Sequence, residues 1–250
     1  MRLFGVINAS PDSLHEESIV TSPTEAGARA EWLLANGAWG FDLGGQGSTY
    51  AAGTTTVDEE WARIEPLLDV LLSYEVPISI DTWRPETARR SLESGITWLN
   101  AADGLQQQAM IDLVVQYQCP TVLPFLSGPD PLSMDHVTDH DPVRVINDFV
   151  STILDRVSEA GVRDLMVIDP GTGFAPHDWP WDERYLYQKE VYSNLDKLRT
   201  HELPLYIALP WKETEQHDEL LDIVIDGKPE YGRCHHPDRI VAAINRQSNA

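Results

Sequence analysis

PISIDTWRPETA, residues 77–88, opens as an apolar run, stops on the acid Asp81 and passes at once into the helix-patterned PETARRSLESG. The same order of parts recurs outward from it in both directions. LFGVIN ends on Asn8, TWLN on Asn100, LMVID on Asp169 and PLYIALPWK on Lys212, each followed by a helix-patterned segment. Strands that alternate with helices form parallel sheets, so these polar side chains emerge together at one end of the sheet. In a closed β/α barrel that end carries the chemistry. A polar group there costs stability unless it finds partners, so several converging ones mark a built site.

Apolar runs at about 3–8, 40–45, 77–82, 97–103, 120–126, 164–170 and 204–210 supply seven strands. Asp141 before Pro142 predicts a helix start, and Gly37, Gly95 and Gly161 predict helix ends. The eighth strand has two readings: EYGRCH ahead of the helix PDRIVAAINR, or LDIVID with EYGRCHH left in the following loop. The expected architecture is a (β/α)8 TIM barrel, a single domain over residues 1–250 whose eighth unit is shortened or irregular. Two long loops on the site face, 9–22 and 127–141, are candidate lids.

The chain is long enough for one barrel, and 42% apolar with 23% charged residues argues against disorder. Its net charge of -22, from 18 basic and 40 acidic residues, speaks against nucleic acid or an anionic membrane as partner. With no apolar stretch of bilayer-spanning length and an amino terminus that reads as a strand, a soluble cytoplasmic protein is expected. A phosphate-bearing ligand would have to be held against the global field by a few local cations, a metal and backbone amides. Cys119 and Cys234 form no CxxC pair and read as small buried thiols in a reducing compartment.

Asp81 and Asp169 can each accept a pair of N–H bonds, and Asn100 can both donate and accept. Together they match the edge of a flat heterocycle, with Lys212 donating to a ring nitrogen or carbonyl oxygen. Structural ion pairs capping the barrel would use the same letters. Asn8 and Asp12 in NASPDS flank a tight turn, where an amide oxygen can help hold magnesium; a plain turn is the alternative. GGQGST at 44–49 offers backbone amides and the Thr49 hydroxyl to an anion, or is simple punctuation. DPGTGF at 169–174 would project Phe174 across the mouth as a stacking residue, or pack it within the loop. Arg233 and His235 alternate around Cys234, so in an extended segment both face one way and could clamp a phosphate; Arg233 could equally pair with an acid. His177, His217 and His236 read as loop or surface residues.

These motifs resemble a known family. GVINASPDS, FDLGGQGST, PISIDTWRPETA, WLNAADG, VIDPGTGF, the lysine after PLYIALPW, and RCHHPDRIVAAI are similar in order and spacing to dihydropteroate synthase. The resemblance implies condensation of 6-hydroxymethyl-7,8-dihydropterin pyrophosphate with 4-aminobenzoate to dihydropteroate and pyrophosphate, in folate biosynthesis. It implies that Asp81, Asn100, Asp169, Lys212 and Arg233 bind the pterin. Asn8, Thr49, Arg233 and His235 would meet pyrophosphate, Asn8 with Mg2+, while Lys212, Arg233 and Asp81 would be catalytic. Phe174, Pro210 and Tyr50 would border the acceptor pocket, and a homodimer is implied. The departures are concentrated there: Tyr50 stands where the family has arginine, and Pro210 and Trp211 where it has serine and arginine. Relatives that pass the pterin unit to another amine or methyl acceptor, or that bind pterin without turnover, are the alternatives.

Overall fold

The computed structural model describes residues 1–11, 16–48, 53 and 55–248. Its strands are β1 Arg2–Asn8, β2 Gly40–Gly44, β3 Ile78–Thr82, β4 Trp98–Ala101, β5 Thr121–Pro124, β6 Met166–Asp169, β7 Tyr206–Ala208 and β8 Tyr231–Cys234. The intervening helices are α1 Pro23–Ala35, α2 Val57–Leu72, α3 Pro85–Glu93, α4 Gln108–Tyr117, α5 Pro142–Glu159, α6 Trp181–Tyr192, α7 Leu195–Leu198, α8 Glu215–Asp226 and α9 Pro237–Ser248. All pairings are parallel, in the order β6-β5-β4-β3-β2-β1-β8-β7. The two ends of that order meet at a bridge between Ile168 and Leu205, where the Ile168 N–H donates to the Pro204 carbonyl at 2.9 Å. The sheet is thus a nearly closed barrel, as the alternation of apolar runs predicts.

EYGRCH contains the eighth strand, and LDIVID lies in α8. Thr214 caps α8 by accepting from the His217 N–H, and Leu220, Leu221 and Val224 bury one helical face. That spacing suits a period of 3.6, which a strand could not use. Asp141 caps α5 as expected, and Gly37, Gly95 and Gly161 have the positive φ of helix-ending turns. A capping box at Thr56 and Glu59 opens α2.

Alternation along the strands separates two apolar layers. Leu43, Ile80 and Ile168 face outward onto helix residues such as Leu33, Leu67 and Ile146. Phe4, Trp98, Val122, Val167 and Tyr206 face inward and fill the barrel floor, with Phe4 edge-on to Trp98 at 5.1 Å. One expectation is corrected here: β7 ends at Ala208, so Lys212 sits four residues beyond it in the loop before α8. No helix among the described residues is long and apolar enough to cross a membrane.

Candidate active site

Register brings the polar strand ends together. Asn8 pairs with Gly44, Gly44 with Asp81 and Asp81 with Asn100, giving one row across β1 to β4. Two residues before Gly44, and so on the same face, stands Asp42, which is fully buried. Arg233 enters this row from β8: its Nε donates to Asp42 at 2.5 Å and its Nη2 to Asp81 at 3.0 Å. Asn100 Nδ2 donates to the second Asp42 oxygen at 3.4 Å. Asp169 closes the group from β6, 5% exposed, accepting the Gly171 N–H at 2.8 Å.

Two carboxylates therefore bind one guanidinium in a barrel mouth, and a third, Asp169, lies within its electrostatic range. Burial pushes Asp81 up to about 7, against the pull of Arg233 and with help from Asp42. Burial likewise pushes Asp169 up to about 7, against the Gly171 N–H and Arg233. Desolvation works against the charge of Arg233 too, but Asp42 and Asp81 overcome it and hold the arginine protonated beyond its usual range. Asp81 and Asp169 are thus poised near neutrality and gain from any ligand that donates N–H bonds to them.

Most of the described sequence-predicted residues fall into two sets. Asp81, Asn100, Asp169 and Arg233 converge. Asn8 and His235 form a second, rim-side set: Asn8 Nδ2 donates to Ser18 Oγ at 2.7 Å, and His235 Nδ1 lies 3.2 Å from the same oxygen. Arg29 binds the His235 carbonyl at 2.6 Å, seating the end of β8 against α1. Ile19, beyond Ser18, bridges to Asn8. Thr49, Tyr50 and Asp12 fall outside the described residues.

Lys212 belongs to neither set. It is exposed, with its ammonium 5.1 Å from the Trp211 ring, and the cation that meets the acids is Arg233. The reason is length: β7 stops at Ala208, which leaves Lys212 in the loop before α8. Phe174 is half-buried in the loop after β6, its N–H bonded to the Gly171 carbonyl at 3.1 Å, and Pro210 is buried. His217 is another correction. It is buried and stacked on Trp181 at 4.3 Å; burial, with Lys212, Arg239 and Arg184 nearby, pushes its pKa down to about 4.

Asp42 and Ser18 were not singled out by sequence reasoning. Asp42 carried a signal, since an acid between Phe41 and Leu43 in a strand covered on both faces must have a buried partner. Ser18 carried none, being one polar residue in a polar loop. Beneath the loop 127–141, a cleft of about 460 Å3 is lined by Phe125, Leu126, Val137 and Phe149 among others, apart from the three acids.

A family model described as "Pterin binding enzyme" matches residues 4–214. The chain belongs to the pterin-binding enzyme family. It resembles dihydropteroate synthase: the Synechocystis enzyme is 31% identical over 177 residues, 69% of this chain and 61% of that relative, which is less than two thirds of its length. An Escherichia coli dihydropteroate synthase type-1 is 30% identical over 214 residues, 84% of this chain and 75% of the relative. Among solved structures, the Thermus thermophilus dihydropteroate synthase in complex with 4-aminobenzoate superposes with a TM-score of 0.82 at 26% identity, covering 99% of this chain and 93% of that one.

Proposed function

We propose that this chain condenses 6-hydroxymethyl-7,8-dihydropterin pyrophosphate with 4-aminobenzoate, forming dihydropteroate and pyrophosphate. The observation that carries this reading is the grouping of Asp81, Asn100 and Asp169 around Arg233 inside the barrel mouth. A pterin edge would donate its amino and ring N–H groups to Asp169 and Asp81, adding to the Gly171 N–H bond of the first and taking over from Arg233 at the second. Arg233 would leave Asp81 as the ring enters and turn to the departing pyrophosphate, with Thr49 and His235 beside it. The ring pushes electron density to the exocyclic methylene as its C–O bond breaks; the arylamine nitrogen then forms the C–N bond and loses its proton to solvent. Phe174, Pro210 and Tyr50 would border the acceptor, and Lys212 would swing off Trp211 to the ring.

Asn8 would offer magnesium its amide oxygen, a hard ligand, while its Nδ2 bonds Ser18. Magnesium, bound with the substrate, would neutralise pyrophosphate as it leaves. We place the chain in the cytoplasm, as one domain over residues 1–250 that forms a homodimer, with no nucleic-acid partner. The test is pyrophosphate release from the two substrates by purified protein. The placement of Lys212 on Trp211 favours a second reading, pterin binding without turnover, for which heat stabilisation by a dihydropterin would occur with no pyrophosphate released.

A further inference from the structure

Inside the barrel, two fully buried hydroxyls among the described residues have no hydrogen-bond partner: Tyr206 Oη and Ser79 Oγ. Ser79 stands beside Asp42 in register. Tyr206 is the more informative. Its ring packs into the floor, 5.8 Å from Phe4, while Asp42, Arg233, Asp169 and Asp81 all lie within electrostatic range of its hydroxyl. The polar end of a floor residue therefore lies against the underside of the acid cluster.

Packing does not account for that oxygen. Phenylalanine would fill nearly the same volume without burying an unpartnered polar atom, and barrel interiors are ordinarily filled by branched aliphatics. Resting on the pterin reading above, we propose that Tyr206 is a ligand-binding residue whose hydroxyl bonds the innermost edge of the heterocycle held by Asp169 and Asn100. Burial and the surrounding carboxylates hold the phenol neutral, so it keeps a proton to donate. Ionised carboxylates only accept, so once both acids take N–H bonds from the ring, a ring nitrogen or carbonyl oxygen at the deep edge needs a donor from elsewhere.

Tyr206→Phe separates this role from a structural one, because the two predict opposite signs. Binding of 6-hydroxymethyl-7,8-dihydropterin would be measured by calorimetry, and ligand-free thermal unfolding in parallel, with Asp169→Asn alongside. The expected result is roughly tenfold weaker binding in Tyr206→Phe, with an unfolding temperature equal to or above that of the parent. If the parent binds and Asp169→Asn loses affinity while Tyr206→Phe stays within about twofold, this inference falls and the pterin reading stands. A Tyr206→Phe variant that loses affinity and thermal stability together marks a structural role and also overturns it. A parent that binds no dihydropterin overturns both.

Discussion

Arg233 holds two carboxylates at once, one by Nε and one by Nη2, and both lie inside the barrel. Breaking a buried pair by removing one partner typically costs about 3–5 kcal/mol, since the remaining charge is left uncompensated. Arg233→Met is therefore expected to lose stability of that order at pH 8 in urea titrations. The loss should be smaller at pH 5, where Asp81 and Asp169, poised near 7, carry protons; an equal loss at both pH values would contradict this electrostatic account. These two acids bind protons more tightly folded than unfolded, where a carboxyl titrates near about 4. The folded state accordingly gives up stability as pH rises from about 4 to about 7, a direction opposite to that of a salt-bridged surface acid. A ligand that donates to them favours the ionised form. Dihydropterin affinity should thus rise with pH through 7 and level off above it, with proton release visible by calorimetry in buffers of different ionisation enthalpy; affinity that is flat from about pH 5.5 to 8.5 would count against the acids as ligand groups.

Elements position these residues through a few obligatory contacts. Glu60 on α2 is completely buried and accepts from Thr82 Oγ1 at 2.9 Å, Thr87 Oγ1 at 2.7 Å and Arg84 Nη1 at 3.0 Å, tying the end of β3 beside Asp81 to α2 and α3. At the end of β6, Gly171 has φ +71, and a Cβ there would fall on the Phe125 carbonyl oxygen at the end of β5. Gly161 has φ +76 with nothing within 4 Å of the same atom. Both alanine substitutions carry the backbone cost of a left-handed residue, about 1 kcal/mol, but only Gly171→Ala must also push two strand ends apart. Gly171→Ala is expected to lower the unfolding temperature well beyond Gly161→Ala and to weaken dihydropterin binding, because Asp169 accepts the Gly171 N–H. Similar losses in both variants would show that the β5–β6 junction has room to yield.

Across the whole molecule the acidity is the dominant field. A net charge of -22 on 250 residues repels itself in the compact state, and salt shortens the range of that repulsion from about 10 Å at 0.1 M to about 3 Å at 1 M. The unfolding temperature should rise by several degrees between these concentrations of potassium chloride in differential scanning calorimetry. No rise would count against self-repulsion of the acidic surface as a limit on stability.

Composition and local pattern determine a good deal here without any coordinates. Strand and helix positions follow from periodicity and punctuation, both carried by neighbours in the chain. Parallel strands of a barrel must send their last side chains to a common end, so the convergence of Asp81, Asn100 and Asp169 was legible too. Contacts between remote positions were not. That Asp42 shares Arg233 with Asp81 depends on strands β2, β3 and β8 meeting in a specific register. That Lys212 falls in the loop before α8 depends on where β7 lets go of β8. The unpartnered oxygen of Tyr206 exists only because the closed barrel shuts water out of its floor, since burial is a property of the assembled sheet and of no residue alone.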